Sequence, residues 1–167
     1  MKSREELFRE LLEANNDRIG RICKVYAGQS ADDLYQEIAI AVWQSMQRFR
    51  EDSSWHTYIY RIALNTALTF SKKQKRQKGN ATPLPDEIAE DTSERAEKLE
   101  TERQMQQLYR AIRQLPDEDK ALIALYLEDM SYNDIADITG ISVNHVGVKI
   151  HRLKNRLSQM IRIDNDE

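Results

Sequence analysis

The stretch SYNDIADITGISVNHVGVKIHRLKNRL, residues 131–157, decides how this chain is read. It divides into two helical patterns around a tight turn. Ile135, Ala136 and Ile138 supply the apolar positions of the first. Gly140 follows, where a left-handed residue without a Cβ ends a helix at little cost. Ile141 packs in the turn, and Ser142 stands where a hydroxyl caps the next helix. There Val146, Ile150, Leu153 and Leu157 recur at i, i+4, i+7 and i+11, one narrow apolar stripe. The rest of that surface carries Lys149, Arg152, Lys154 and Arg156, with no acid between residues 142 and 157. A Gly turn between two helices, the second of them basic, suits a helix-turn-helix that enters a DNA groove. The plainer alternative is a helical hairpin with a solvated basic face.

Outward from this stretch, the composition indicates an all-α protein. Of 167 residues, 5 are Gly and 3 are Pro, and the charged fraction is 32%. Few breakers among many helix formers favour helices. A net charge of −3 looks unsuited to a nucleic-acid binder until it is divided along the chain. Residues 1–78 hold 14 Lys+Arg against 10 Asp+Glu, residues 79–104 hold 3 against 8, and residues 105–167 hold 8 against 10. A phosphate responds to charge within about a Debye length, roughly 10 Å, so the local values matter more than the total. This division predicts two small helical modules, 1–78 and 105–167, joined by an acidic linker over 79–104 that contains Pro83 and Pro85.

Several function classes are disfavoured. Cys23 is the single cysteine, so no intrachain disulfide is possible, and its apolar-spaced neighbours Ile19, Ile22 and Tyr26 make it a core residue. No apolar run approaches the ~20 residues of a membrane span, and the N-terminus lacks a signal peptide's apolar core. A cytoplasmic location is expected. No cofactor or metal is called for. His145 and His151 fall on different faces, which suits DNA or phosphate contact better than metal binding. Asp32, Asp33 and Glu37 lack the second ligand cluster a nuclease would require.

Residues 3–26 are read as a helix with Glu5 and Glu6 in its first turn. Asn15-Asn16-Asp17 is expected to interrupt it, and Arg18, Arg21 and Lys24 are read as a solvated face. The helix from Ser30 to Arg50 buries Leu34, Ile38, Ala41, Val42, Ser45 and Phe49 and leaves Asp33, Gln36 and Glu37 outside. The next begins at Ser53 or Ser54 and buries Ile59, Ile62, Ala63, Thr66, Ala67 and Phe70. Trp55, His56, Tyr58 and Tyr60 crowd its start, and Lys72, Lys73, Lys75, Arg76 and Lys78 place five cations in seven residues. Aromatics followed by cations suit unpaired DNA, because rings stack on bases while cations follow phosphates. A half-buried aromatic cluster with a solvated basic tail fits equally. Helix resumes near Ala96 with Leu99, Met105, Leu108, Ile112 and Leu115 as apolar positions, stops at Pro116 and restarts at Asp117.

DDLYQEIAIAVWQSMQRF, FREDSSWHTYIYRIALNTAL and LPDEDKALIALYLEDMSYNDIADITGISVNHVGVKIHRLKNRL, in that order, resemble successive segments of the bacterial RNA polymerase sigma factors of the extracytoplasmic-function group. The resemblance covers most of the chain. It implies an initiation factor, not an enzyme, that binds core RNA polymerase, directs it to −35 and −10 promoter elements and helps open the DNA. It implies core docking by Asp32, Asp33, Leu34, Gln36 and Glu37. It implies −10 contacts by Trp55, His56, Tyr58, Tyr60, Arg61, Asn65, Lys72, Lys73 and Arg76, with Asn65 pairing to a base edge and Tyr58, Tyr60 and Arg61 bordering a pocket for an unstacked base. It implies −35 contacts by Ser142, Asn144, His145, Val148, Lys149, His151, Arg152 and Arg156. The group also implies an anti-sigma factor as a partner, though no residue here marks one. Gly147-Val148 departs from the polar or basic pair common in relatives, and close approach to a phosphate backbone would favour the Gly. The runner-up is a stand-alone helix-turn-helix regulator whose N-terminal module senses a signal or dimerises.

Overall fold

The structure is a computed structural model that describes residues 1–78 and 96–166. Seven α-helices occur among them: α1 Arg4–Ala27, α2 Ala31–Ser45, α3 Trp55–Lys78, α4 Ala96–Arg113, α5 Asp117–Leu127, α6 Tyr132–Thr139 and α7 Val143–Asp166. Short 3-10 turns, Gly28–Ser30 and Met46–Arg48, bracket α2.

Local chemistry explains the boundaries. The Ser3 hydroxyl accepts from the Glu6 amide while the Glu6 carboxylate accepts from the Ser3 amide, a reciprocal cap that starts α1. Ser54 accepts from the Thr57 amide ahead of α3. Ser131 and Ser142 do the same for α6 and α7. Gly140 closes α6 at φ +79°, in the left-handed region where its missing Cβ is an advantage.

α1 runs through Asn15-Asn16-Asp17 without a break, contrary to expectation. Asn15 is only 1% exposed, and its amide donates to the Leu11 carbonyl at 2.8 Å. The side chain satisfies itself within the helix instead of competing with it. Helix resumes at Ala96, as the apolar spacing predicts, so residues 96–104, counted with the acidic linker by charge, are the first turns of α4. Residues 79–95, with Pro83 and Pro85, lie outside the described residues. Leu99 and Met105 are exposed at 52% and 44%. The buried face of α4 is formed later, by Tyr109, Ala111, Ile112 and, just beyond the helix, Leu115.

α1, α2 and α3 pack together through Ile19, Ile22, Leu34, Ile38, Val42, Ile59 and Ala63, all at most 2% exposed. α5, α6 and α7 enclose Leu125, Ile135, Val146 and Ile150, all fully buried. Cys23 belongs to the first group, and burial pushes its thiol up to about 12, with the Asp32 carboxylate adding to the shift. The two helical groups lie against each other: α4 and α5 pack on α1, and α5 and α6 pack on α3.

That contact is polar at its edges. Glu128, just past α5, has a side chain 4% exposed and takes both oxygens to Arg21, with Nη2 at 2.8 Å. Arg18 Nε lies 3.8 Å from the same carboxylate. The bond to Glu128 holds the Arg21 guanidinium above its usual range. Arg18 and Arg21 therefore form a joint, not the solvated face expected. Asp117 forms a second joint with the Ser71 hydroxyl and the Lys75 ammonium, each at 3.2 Å, while its backbone carbonyl accepts from Tyr26.

Candidate nucleic-acid interface

α7 presents the most regular surface. Val146, Ile150, Leu153 and Leu157 are at most 6% exposed, as their spacing predicts. On the outside, Asn144, His145, Val148, His151, Arg152 and Arg156 are exposed. Asn155 and His151 meet at 3.4 Å, one turn apart. Ser142 is exposed, and its hydroxyl accepts from the His145 amide as the cap while its O–H stays available to donate. Lys149 is half-buried and turns toward α3. At Gly147 a side chain as small as a methyl has room. A Cβ there would meet Cε2 of Tyr132 at 3.4 Å, so the α6 ring packs over the α7 backbone.

The start of α3 holds an aromatic cluster. Trp55 stacks on Phe49 with centroids 3.7 Å apart, and Tyr58 lies 5.0 Å from Phe49 while its hydroxyl donates to the Ser45 carbonyl. Phe49 was read as part of the α2 stripe; it lies beyond α2, half-buried, and occupies one face of Trp55. His56 is exposed, with Nδ1 2.8 Å from the side-chain Oδ1 of Asn15. Lys72, Lys73, Lys75 and Arg76 are exposed along the later turns. Lys78 is in the helix, and its side chain lies outside the described residues.

Tyr60 requires a correction. It is 4% exposed, with the Arg18 guanidinium 5.9 Å from its ring centroid. Burial, with the Glu128 carboxylate nearby, holds its phenol above the usual range. It cannot border a base pocket in this arrangement. Arg61 donates to the Asp137 carbonyl of α6 at 3.4 Å. Arg61, Asn65 and Lys149 line one groove of about 390 Å³, with Leu64, Leu68, Leu122 and Ile138 as its apolar walls.

On α2, Asp32, Asp33, Gln36 and Glu37 are exposed on consecutive turns. Leu34 is fully buried, so it positions that surface from the core side and does not form part of it. Ile40, 56% exposed, extends the surface by one turn, an apolar position the sequence reading passed over. Among the described residues no group of His, Cys, Asp and Glu is placed to hold a metal ion, and no helix is long and apolar enough to cross a membrane.

Comparison with known proteins agrees with this layout. Residues 11–77 match the Sigma-70 region 2 family and residues 105–157 match Sigma-70, region 4. The chain is 30% identical over 158 residues to the ECF RNA polymerase sigma-E factor of Haemophilus influenzae, covering 88% of this chain and 82% of that one. It is 25% identical over 175 residues to the ECF RNA polymerase sigma factor SigW of Bacillus subtilis, covering 96% and 92%. The fold resembles the sigma factor RpoE of Bartonella quintana, solved with the anti-sigma factor NepR, at a TM-score of 0.69 and 20% identity over 93% of this chain and 96% of that one. It also resembles CnrH, solved with the cytosolic domain of CnrY, at 0.64 and 21% over 94% and 88%. With both sigma regions in order along one all-helical chain, the protein belongs to the ECF RNA polymerase sigma factors, which direct RNA polymerase to promoters.

Proposed function

We propose that the two helical groups divide promoter recognition between them, with the boundaries and residue roles that follow. α7 lies in the major groove of the −35 element. Its buried stripe and outward Asn144, His145, Val148, His151, Arg152 and Arg156 are the observation that carries the reading. Asn144 suits an adenine edge, Val148 a thymine methyl, and the arginines suit phosphate or guanine. α3 meets the non-template strand of the −10 element through His56, Arg61 and Asn65, with Lys72, Lys73 and Arg76 on phosphates and Trp55 and Tyr58 at the strand's entry. Exposed Asp32, Asp33, Gln36 and Glu37 dock on a basic surface of core polymerase. The acidic stretch before α4 joins the two groups. Regulation by an anti-sigma protein accords with the complex of the structurally similar sigma factor RpoE with the anti-sigma factor NepR.

The closed arrangement has a mechanical consequence. The −35 and −10 positions lie about 25 base pairs apart, roughly 85 Å at 3.4 Å per step. Asn65 of the −10 head and Lys149, which joins the −35 contacts once α7 leaves α3, line a single groove and cannot reach their two elements at once. Promoter binding therefore requires α5–α7 to leave α1 and α3. Core polymerase, engaging both groups, stabilises the open form by mass action.

Two measurements test these roles. Charge reversal at Asp33 and Glu37 should weaken core polymerase binding by about tenfold or more without changing helix content. Arg152→Ala should weaken −35 binding and lower the salt slope by about one. Unchanged core affinity in the reversed variant would remove the α2 docking role.

A further inference from the structure

Asn15 is an unusual residue in its setting. It lies between buried Leu11 and Ile19 at helical spacing, on the face of α1 that forms the core, and is itself 1% exposed. An amide in such a place is costly unless both ends are bonded. Both are. The Nδ2 donates to the Leu11 carbonyl at 2.8 Å, and the Oδ1 lies 2.8 Å from His56 Nδ1. The partners fix the orientation of the amide. A backbone carbonyl only accepts, so the atom facing Leu11 is the NH2 group, and the atom facing His56 is the oxygen.

The consequence reaches the ring. An amide oxygen only accepts, so His56 Nδ1 carries the proton. In the neutral imidazole Nε2 is then an unprotonated acceptor, the reverse of the tautomer that free histidine favours. His56 is exposed, at the first turn of α3, beside the aromatic cluster.

We propose that Asn15 is a positioning residue that fixes the His56 tautomer, so that His56 Nε2 reads the major-groove edge of a non-template-strand base, where adenine and cytosine carry an amino group. The inference rests on the reading of α3 as the −10 head. On the edge that a duplex turns to its major groove, an acceptor at Nε2 takes a hydrogen bond from adenine N6 or cytosine N4 and meets only acceptors at thymine O4 and at guanine O6 and N7. The N1–H and N2 amino group of guanine and the N3–H of thymine lie on the other edges. One −10 position should therefore prefer adenine or cytosine, and its selectivity should depend on a buried residue of α1 that never touches DNA.

The test has a spectroscopic arm and a functional arm. In the full chain labelled with 15N-histidine, the His56 signals, assigned by their loss in His56→Ala, should show protonated Nδ1 and unprotonated Nε2. Asn15→Leu should abolish that pattern while the His145 and His151 signals stay in place. Holoenzyme initiation is then measured on promoters permuted at each −10 position. Wild type should favour adenine or cytosine by about tenfold at one position. Both His56→Ala, which is a surface change that leaves no acceptor, and Asn15→Leu should bring that preference within about twofold. A wild-type ring protonated at Nε2 would overturn the inference, whatever the fate of Asn15→Leu. So would a −10 preference that His56→Ala leaves intact. Asn65→Ala separates the two levels. If it alters −10 preference while His56→Ala does not, α3 remains the reading head and the tautomer inference fails. If neither variant does so, both fail.

Discussion

Glu128→Ala should open the molecule. The wild-type carboxylate is 4% exposed and holds Arg21 through both oxygens, with Arg18 alongside. Removing one member of a buried ion pair costs about 3–5 kcal/mol, because a charge is left without its partner. Here the remaining charges are arginines whose side chains stay 40% exposed. Water rehydrates them, so the loss falls to about 2 kcal/mol, the value of hydrogen bonds to a charged group. That is roughly 30-fold in the equilibrium between closed and open forms. Small-angle scattering should show a larger radius of gyration, and fluorophores on cysteines placed at exposed Gln44 and Asn155 should transfer energy less efficiently. Arg21→Ala should behave alike, and the double variant should add little, since one interaction is removed twice. An unchanged radius of gyration, together with additive effects of the two substitutions, would refute the joint.

Three other outcomes follow from local structure. Gly147→Ala should raise thermal stability by about 0.5–1 kcal/mol, because helix propensity improves while the new Cβ only touches the Tyr132 ring; a lower melting temperature would show that the ring cannot yield. Lys120 is 5% exposed, and burial holds its ammonium below the ordinary 10.5 despite Asp117 at 3.5 Å. The unfolded chain thus binds more protons as pH approaches 10.5, so this residue's contribution to stability rises with pH in that window; Lys120→Met should flatten the slope, as denaturant titrations at a series of pH values would show. Cys23, buried and with its thiol raised to about 12, should resist alkylation at pH 8 in the folded protein and react at once in denaturant.

Features set by neighbours in sequence were legible, and those set by distant partners were not. The α7 stripe, the cap at Ser142 and the left-handed Gly140 depend on residues within about four positions, so spacing and side-chain chemistry located them. The acids of α2 were legible as exposed, but Leu34 was grouped with them although its own periodicity placed it inward. Tyr60 was assigned to DNA by its place among aromatics, yet a surface assembled from α1 and the segment after α5 covers it. Glu128 meets Arg21 across 107 positions, a pairing that no local pattern marks. Asn15 was read as a breaker because asparagine favours turns, and its two bonds, one of them to His56, override that tendency.

Run-off transcription tests the division of promoter recognition most directly. Core polymerase supplemented with this chain should initiate only from templates that carry both elements. Asn65→Ala should relax selectivity at −10 positions alone, while Lys149→Ala should weaken −35 binding with a smaller salt slope. Equal loss at every promoter sequence for both variants, or no transcripts from any template with the unaltered chain, would contradict the account.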